Sequence, residues 1–434
     1  MLSSVFGTRP VALFAEGQFF RALLRSPRVS EVRCLSEGKG LTEQAIKSLL
    51  QYAEKYRPDF VFIGPEEPLQ AGVADELQTK LGIRCIGPTK SLARLETSKA
   101  FTRDLIARHG IPGSPKYQIF SSIDGMTQYL QRMEHGFVVK PDGLTGGKGV
   151  KVSGTHLKSV EEGVDYAREL FRELHDHVLV EEKLDGEEFS LMSFCDGTHV
   201  VDMPVVQDHK RAGVNDEGPN TGGMGSYSCE DHKLPFLTDA DVRAASAINA
   251  AIVRALYDDT GEKYKGILYG GFMLTRDGVR LLEYNARFGD PEALNVLAIL
   301  KTDFAELCLN LLNEHLTSDR VEFERRATVC KYVVPEGYPD RPTRGARIDL
   351  DRVPADSGRL RRFEAAVDHR DGEWYLTGSR AIAFVGIGST LDEAEKIAEA
   401  AASDVRGPVF HRSDIGTAAL VRRRCDHIKQ LLGR

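Results

Sequence analysis

The feature that most restricts the fold is the alternation of short apolar segments with amphipathic segments in the first hundred residues. Residues 11–15 and 60–64 are apolar runs of strand length, whereas residues 43–56 and 71–81 have the apolar spacing of helices. Strands that alternate with helices predict a parallel sheet covered by helices. Because ligands bind beyond the carboxyl ends of such strands, the loop over residues 64–69 is predicted to form one wall of a binding site.

The pattern changes after residue 98, where paired strands, glycine-rich turns and a long helix near residues 239–257 follow one another. The last hundred residues are predicted to be mostly short strands, with one helix at residues 391–402 and a basic helix at the end. We therefore expect an α/β protein of three domains. These are an N-terminal parallel-sheet domain over residues 1–97, a central domain over 98–326 and a mostly β C-terminal domain over 327–434.

Composition excludes several classes of protein. Hydrophobic residues make up 41% of the chain and charged residues 28%, which is typical of a globular protein rather than a disordered or coiled-coil one. With 57 basic and 64 acidic residues, the net charge of −7 argues against a nucleic-acid partner. No uninterrupted apolar run reaches about 18 residues, so no membrane span is predicted. Seven scattered cysteines without a CxxC pair favour a reducing compartment, and we expect a cytoplasmic protein.

The first pattern that indicates chemistry is the glycine-rich loop over residues 142–149, which contains Gly146, Gly147 and Lys148. Glycines let backbone N–H groups approach phosphate oxygens, and Lys148 and the preceding Lys140 add positive charge. A Walker loop is not favoured, because a strand rather than a helix is predicted after the glycines. The pattern favours a phosphate-binding flap between two antiparallel strands, and the alternative is an ordinary hairpin turn.

A second pattern is the strand that carries Glu283, Asn285 and Arg287. Residues two apart on a strand share one face, so these three side chains are predicted to lie together while Leu282 and Tyr284 face the core. A carboxylate and an amide oxygen on neighbouring positions suit Mg²⁺, which takes further ligands from phosphate oxygens. Arg287 could neutralise an anionic substrate or a transferring phosphoryl group. The alternative is an edge strand whose polar face carries a solvated salt bridge.

Two weaker patterns are compatible with the same chemistry. The segment 207–211 with its two cations precedes the glycine run at 218–225 and suggests a second anion-binding loop, although glycine-rich surface turns are common. The strand over 178–182 and the linker after it could present backbone groups to an adenine and a carboxylate to a ribose, and a charged connection between strands is the alternative. The His-Asp-His group at 175–177 and the three arginines at 422–424 are interpreted as solvated surface.

Together these patterns resemble the ATP-grasp ligases, and within them the phosphoribosylamine–glycine ligase family. The segment from Gln207 to Arg211, followed by the glycines of 218–225, is the most specific match, whereas the flap alone indicates only an ATP-grasp fold. The similarity extends from about residue 26 to residue 416. The other matching segments are 64–66, 87–90, 98–101, 138–149, 182–188, 283–292, 378–381 and 407–412.

One stretch departs from the family pattern. The family has a Gly-Gly-Arg-Glu-His turn after its first strand, whereas residues 14–20 of this sequence contain Gly17 but no arginine or histidine. The usual wall for a phosphoribosyl substrate is therefore not predicted there.

The resemblance implies a central ATP-grasp domain with a mobile flap subdomain over about residues 112–188. It implies a ligase of purine biosynthesis that joins glycine to 5-phosphoribosylamine through an acyl phosphate, giving glycinamide ribonucleotide, ADP and phosphate. ATP and Mg²⁺ or Mn²⁺ would be the cofactors, small molecules the partners, and the enzyme a monomer or small homo-oligomer. Two alternatives stay open: a ligase for a different amine or amino acid, and a nucleotide-binding relative without turnover.

The resemblance also implies roles for residues of this sequence. The ATP phosphates are expected at Lys99, Lys140, Gly146, Gly147 and Lys148, the adenine at Glu181, Glu182 and Leu184, and the ribose at Glu188. The metal ion is expected at Glu283 and Asn285, the glycyl carboxylate or its phosphate at Arg287, and the acceptor near Asp208, Lys210 and Arg211.

Overall fold

The computed structural model describes residues 10–14, 26, 31–34, 43–145, 149–173 and 176–433. The N-terminal elements are β1 (Pro10–Phe14), β2 (Glu31–Cys34), α1 (Glu43–Tyr56), β3 (Phe60–Ile63), α2 (Glu66–Ala71), α3 (Val73–Leu81) and β4 (Arg84–Ile86). The four strands form a sheet in the order β2-β1-β3-β4, and every neighbouring pair is parallel. The predicted parallel sheet is therefore confirmed.

The segment after β3 differs from the prediction. All four residues of β3 are buried, as expected of a parallel strand that is covered on both faces. The predicted loop over residues 64–69 is short, because α2 begins at Glu66. Gly72 ends this helix with a φ of 83°, a left-handed conformation that favours glycine. The predicted wall of the site is thus the first turn of a short helix.

The flap region is a small antiparallel sheet with helices packed against it. Its strands have the order β5-β8-β6-β7, and β6 and β7 form the antiparallel pair predicted on either side of the glycine-rich loop. Gly146, Gly147 and Lys148 lie outside the described residues. The elements are α4 (Lys90–Thr97), α5 (Lys99–Arg108), β5 (Tyr117–Phe120), α6 (Met126–Gln131), β6 (Phe137–Pro141), β7 (Lys151–Val152), α7 (Val160–Arg172) and β8 (Val178–Glu182).

A second antiparallel sheet follows, in the order β10-β9-β15-β16, and α8 packs against it. Thr238 and Asp241 form a capping box that fixes the start of α8. The elements are β9 (Gly186–Asp196), β10 (Val200–Asp202), β11 (Gln207–Asp208), β12 (Arg211–Gly213), β13 (Glu217–Asn220), β14 (Gly225–Ser228), α8 (Asp239–Thr260), β15 (Lys265–Thr275) and β16 (Gly278–Asn285).

The C-terminal region contains a mostly antiparallel sheet with α11 against it. The elements are α9 (Glu292–Ala298), α10 (Phe304–Leu312), β17 (Ala327–Pro335), β18 (Arg347–Ile348), β19 (Leu360–Glu364), β20 (Val367–Arg370), β21 (Glu373–Leu376), β22 (Ile382–Gly388), α11 (Leu391–Ser403), β23 (Val409–Phe410) and α12 (Ala418–Leu432). Strands β11 and β14 join the sheet β11-β14-β17-β22-β19, so the sheet combines strands from before and after residue 327. The largest apolar core therefore runs continuously from the N-terminal helices to this sheet.

None of the helices described is long and apolar enough to cross a membrane.

Candidate active site

A cleft opens beside the neighbouring strands β9, β15 and β16, next to the end of β11. The cavity within it has a volume of about 20 Å³. Both apolar and charged side chains line it, which is the usual composition of a site for a small molecule with charged groups. The lining residues are Glu188, Phe189, Ser190, Asp208, Lys210, Tyr269, Gly271, Phe272, Leu282 and Glu283.

A β-bulge in β16 determines which side chains reach the cleft. Leu281 pairs with Phe272 and Glu283 pairs with Gly271, so Leu282 is an extra residue without a partner across the ladder. Leu281 is buried in the core, and the extra residue turns Glu283 and Asn285 away from it. The prediction that Leu282 faces the core is wrong, because the bulge places Leu282 in the cleft lining. Its carbonyl accepts a hydrogen bond of 2.9 Å from Arg103.

Lys210 lies between two carboxylates of the cleft. Its Nζ is 3.7 Å from Glu283 Oε1 and 3.9 Å from Glu188 Oε2, distances that leave room for other ligands. Burial alone would lower the pKa of Lys210, but Glu188 and Glu283 outweigh it and raise this pKa above its usual value. Burial alone would raise the pKa of Glu283, but the lysines around it, led by Lys210, hold that pKa below its usual range. Both groups are therefore charged at neutral pH.

Lys140 is held by a buried carboxylate beneath the flap. Glu181 is 3% exposed and accepts from Lys140 Nζ at 2.6 Å and from Arg103 Nε at 2.5 Å. Burial would raise the pKa of Glu181, but Arg103 and Lys140 outweigh it and lower that pKa. The side chain of Glu181 therefore fixes Lys140, one of the residues predicted to bind phosphate, while its backbone lies between Tyr117 and Val138 of the neighbouring strands.

Lys99 joins the start of α5 to the base of the flap. Its Nζ donates a hydrogen bond of 2.8 Å to the carbonyl of Gly143. Asp142 accepts from Ser98 Oγ at 2.9 Å and from the Ala100 N–H at 3.1 Å, so the helix start also binds this segment. Burial, aided by the charge of Lys140, lowers the pKa of Lys99. The two lysines predicted at the phosphates are therefore close enough to repel each other.

The first backbone N–H groups at the end of β8 and in the linker after it already donate hydrogen bonds within the protein. The N–H of Glu182 donates to the Lys116 carbonyl and that of Lys183 to the Gly136 carbonyl, both at 2.9 Å. The Glu182 side chain accepts from the Lys116 N–H at 2.8 Å. Within the described part of the chain, no hydrogen bond uses the N–H of Leu184. Of the three residues predicted at the adenine, Leu184 thus keeps a backbone donor.

Side chains of the segment from Gln207 to Lys210 point alternately into the cleft and into the protein interior. Asp208 and Lys210 line the cleft, whereas His209 is buried behind them, and neither of its ring nitrogens has a hydrogen-bond partner among the described residues. Burial, together with Arg412 and Arg424, lowers the pKa of His209 to about 3. Arg211 is not part of the cleft lining, and its guanidinium donates to the Gly218 carbonyl at 2.8 Å.

Asp208 is close to a second acid and to a glycine of the loop that follows. Burial and the charge of Glu292 raise the pKa of Asp208 well above its usual range. Glu292 accepts a hydrogen bond of 2.7 Å from the Tyr269 hydroxyl. At Gly223, whose φ is 110°, a Cβ would lie 2.7 Å from Asp208 Oδ1. One glycine of the run 218–225 therefore has a packing role, and the predicted anion-binding loop there stays a prediction.

Arg287, two residues after the end of β16, joins this strand to the helices α2 and α4. Its Nε is 3.1 Å from Glu66 Oε2, and its Nη2 is 3.4 Å from Glu96 Oε1. Glu96 also accepts a hydrogen bond of 2.8 Å from the Ala286 N–H. Burial raises the pKa of Glu96 to about 7, although Arg287 opposes this rise. The sequence reasoning missed Glu96, which lies in a helix of ordinary amphipathic pattern.

Arg380 is a further residue that the sequence reasoning left without a role. Its Nη2 is 2.8 Å from Asp290 Oδ2, and its Nη1 donates to the carbonyls of Gly222, Gly223 and Asp290. Tyr332 donates to the same Asp290 carboxylate at 2.8 Å. The signals for these contacts in the sequence are the family-like segments 283–292 and 378–381.

The comparisons with known proteins identify the family. The sequence matches the N domain of phosphoribosylglycinamide synthetase over residues 15–96, its ATP-grasp (A) domain over 97–293 and its C domain over 328–418. The chain belongs to the phosphoribosylglycinamide synthetase family. It is 47% identical over 391 residues to the phosphoribosylamine–glycine ligase of Methanocella arvoryzae, covering 90% of this chain and 88% of that protein. It is also 47% identical to the ligase of that name from Methanocaldococcus jannaschii, covering 94% and 93%.

Solved structures agree with this assignment. A crystal structure of phosphoribosylamine–glycine ligase from Thermotoga maritima superposes with a TM-score of 0.77 at 26% identity, covering 94% of this chain and all of that one. A biotin carboxylase from Campylobacter jejuni has a TM-score of 0.75 at 11% identity, covering 99% of this chain and all of that one, and shows the shared fold alone. The predicted ATP-grasp fold and ligase class are therefore confirmed for this member of the family.

The residues predicted to hold a metal ion fit a site completed by phosphate. Among the described residues, no group of three or more His, Cys, Asp or Glu side chains is arranged to hold a metal ion. Glu283 and Asn285 are both partly exposed on one face of β16, and the carboxylate of Glu283 is charged. Oxygen donors of this kind suit Mg²⁺, whose remaining ligands would be phosphate oxygens and water.

Proposed function

We propose that this member of the phosphoribosylglycinamide synthetase family joins glycine to 5-phosphoribosylamine at the expense of ATP, in purine biosynthesis. The observation that carries the proposal is the convergence of Lys99, Lys140 and Lys210 on Glu283, the first two at the base of the flap. Lys140 is paired with Glu181, whereas the nearest carboxylates of Lys210 are 3.7 and 3.9 Å away, so this group of lysines can still bind a polyphosphate. The products would be glycinamide ribonucleotide, ADP and phosphate.

The chemistry needs two displacements. A carboxylate oxygen of glycine bonds to the γ-phosphorus of ATP and the bond to ADP breaks. The amine nitrogen of phosphoribosylamine then bonds to the acyl carbon, the bond to phosphate breaks, and the amine loses a proton. The side chains of this chain bind and orient the reactants and neutralise charge, without a covalent enzyme intermediate.

The nucleotide is proposed to bind along the cleft and beneath the flap. Lys99 and Lys140 would bind the phosphates, with Gly146, Gly147 and Lys148 completing the flap over them. Leu184 would donate its N–H to the adenine, next to the backbone of Glu181 and Glu182, and Glu188 would accept from the ribose hydroxyls. Closing the flap would exclude water, which otherwise hydrolyses an acyl phosphate.

Mg²⁺ or Mn²⁺ bound by Glu283 and Asn285 would neutralise phosphate oxygens during transfer. Lys210, whose Nζ is 3.7 Å from Glu283 Oε1, would bind phosphate oxygens as well. Arg287 would bind the glycyl carboxylate or its phosphate, since Glu66 and Glu96 already hold its guanidinium in place. Asp208 would accept from the amine, with Arg211 near the acceptor.

The test is a reconstituted assay with the purified chain. ADP release and glycinamide ribonucleotide should both require ATP, glycine and freshly generated phosphoribosylamine. Lys140→Met should abolish both signals, whereas Lys158→Met, which removes an exposed lysine outside the cleft, should leave them unchanged. Binding of ATP without ADP release under any of these conditions would contradict the proposal.

A ligase for a different amine is the second candidate. It is favoured by the departure from the family pattern over residues 14–20. This segment contains Gly17 but neither the arginine nor the histidine that would bind a substrate phosphate. Rapid ADP release with glycine and another amine, and none with phosphoribosylamine, would favour this candidate.

A further inference from the structure

Glu187 and Glu188, at the start of β9, point to opposite faces of the strand. Successive residues of a strand face opposite ways, and here Glu188 is exposed in the cleft while Glu187 is 5% exposed behind it. Glu187 is not part of the cleft lining given above. It faces α12, the last helix of the described chain.

Glu187 is bound by two side chains of α12. His427 Nδ1 is 2.7 Å from Glu187 Oε1, and Arg424 Nε is 3.3 Å from Glu187 Oε2. His427 Nε2 is also 3.4 Å from Asp185 Oδ1, in the linker after β8. The interpretation of the arginines at 422–424 as solvated surface is therefore wrong for Arg424, although Arg422 is exposed.

The same contacts continue behind Lys210. Arg424 pairs with Asp216, which also accepts from Arg412 Nη1 at 2.9 Å. Arg412 is fully buried, and its Nη1 donates to the Arg211 carbonyl at 3.1 Å. We call these six residues the rear cluster: Glu187, Asp216, Arg412, Asp414, Arg424 and His427.

We propose that Arg424 and His427 are positioning residues for the nucleotide site, which they influence through Glu187. This inference rests on the proposed function, in which Glu188 binds the ribose. Strand β15 pairs with the start of β9 on one side, and the contacts with α12 fix the side chain of Glu187 directly before Glu188. The carbonyl of Glu188 is held from the other side by Gln207 Nε2 at 2.9 Å. Loss of the α12 contacts would let Glu188 move from the ribose without removing any group that touches ATP.

Steady-state kinetics of the full chain separate this role from a merely structural one. Arg424→Ala should raise the KM for ATP about tenfold, with kcat and the KM for glycine changed less than about twofold. Arg424→Lys and His427→Asn keep a donor toward Glu187 and should stay close to wild type. Arg422→Ala, on an exposed position of the same helix, is the matched control and should change nothing.

Glu187→Gln provides the decisive second variant if Arg424→Ala folds poorly. It keeps the size of the side chain and should raise the KM for ATP by a similar factor. Combining it with Arg424→Ala should add little, because both changes act on one contact. Equal KM values for ATP in all these variants, or a loss of kcat in proportion to lost folded protein, would overturn the inference. Failure of the wild type to make glycinamide ribonucleotide would instead overturn the proposed function, and the KM for ATP with another accepted amine would still test the positioning role.

Discussion

Lys331 in the C-terminal sheet and Lys210 at the cleft each lie next to two carboxylates, but their surroundings differ in completeness. Lys331 is fully buried, and its Nζ contacts Glu395 at 2.7 Å, Glu399 at 2.6 Å and the Ser413 carbonyl at 2.8 Å. Lys210 is 44% exposed, and its nearest carboxylates are 3.7 and 3.9 Å away. All three protons of the first ammonium have acceptors, whereas the second can still bind an anion.

The difference separates a structural charge from a functional one. Burying a charge is costly unless its partners are complete, so Lys331 can only serve the packing of α11 against β17. A cationic side chain that keeps loose contacts at a cleft costs less to maintain and can respond to a ligand. Changes at the cleft should therefore alter activity, and changes at Lys331 should alter stability.

The largest effect is expected at the cleft. Glu283→Gln should lower kcat by about a thousandfold, because it removes the charge that is proposed to bind the metal ion. The free energy of unfolding should change by less than about 1 kcal/mol, since Glu283 is partly exposed. Asp277→Asn makes the same chemical change at the exposed turn of the hairpin and should leave kcat unaltered. Wild-type turnover of Glu283→Gln at ordinary Mg²⁺ would remove the residue from the mechanism.

The opposite result is expected at Lys331. Lys331→Met should reduce the free energy of unfolding by about 3 kcal/mol, because Glu395 and Glu399 lose their partner in a largely buried place. Urea denaturation would measure the change, and kcat per folded molecule should equal that of the wild type. A fall in kcat without loss of stability would show that the two lysines are not distinguished by the completeness of their contacts.

The sequence was sufficient for features that depend on neighbours along the chain. The antiparallel pair of β6 and β7 could be predicted because the two strands and the glycines between them lie within one short segment. The prediction that Glu283 and Asn285 share one face of a strand also needed only their spacing along the chain. The bulge at Leu282 could not be predicted, since it depends on which residues of β15 pair with β16.

Long-range partners were beyond the reach of local patterns. Glu96 and Ala286 are 190 residues apart, and Glu187 and His427 are 240 residues apart. Nothing in the sequence near Arg424 distinguishes it from its exposed neighbour Arg422. The short helix α2 was missed because its six residues, one of them Pro68, are too few to show a helical period.

A smaller effect is expected from Glu96, which influences both stability and activity because it is buried and also contacts Arg287. Burial raises its pKa from the ordinary 4.5 to about 7, so the folded state binds the proton more tightly than the unfolded state. Its contribution to stability is therefore complete below about pH 4.5 and is lost as the pH rises through 7. Activity should change in the opposite direction, because ionised Glu96 holds Arg287. Glu96→Gln should abolish both dependences, and a wild-type pH profile of kcat/KM for glycine in this variant would contradict the prediction.

The smallest effect on the free energy of unfolding is expected at an exposed carboxylate whose ion-pair contacts are complete. Glu314 lies 2.5 Å from Lys263 Nζ and 2.9 Å from Lys265 Nζ, on the surface beside β15. These hydrogen bonds, with Lys263 contributing most, lower the pKa of Glu314 to about 2. A lowered pKa gives stability that is present above the ordinary pKa of 4.5 and is lost as the pH falls toward 2. Glu314→Gln should therefore reduce the free energy of unfolding by less than about 1 kcal/mol at pH 7, and the difference from wild type should shrink in 1 M salt and at low pH. A loss as large as that at Lys331 would show that completeness of contacts matters more than burial, and would reverse the order of these predictions.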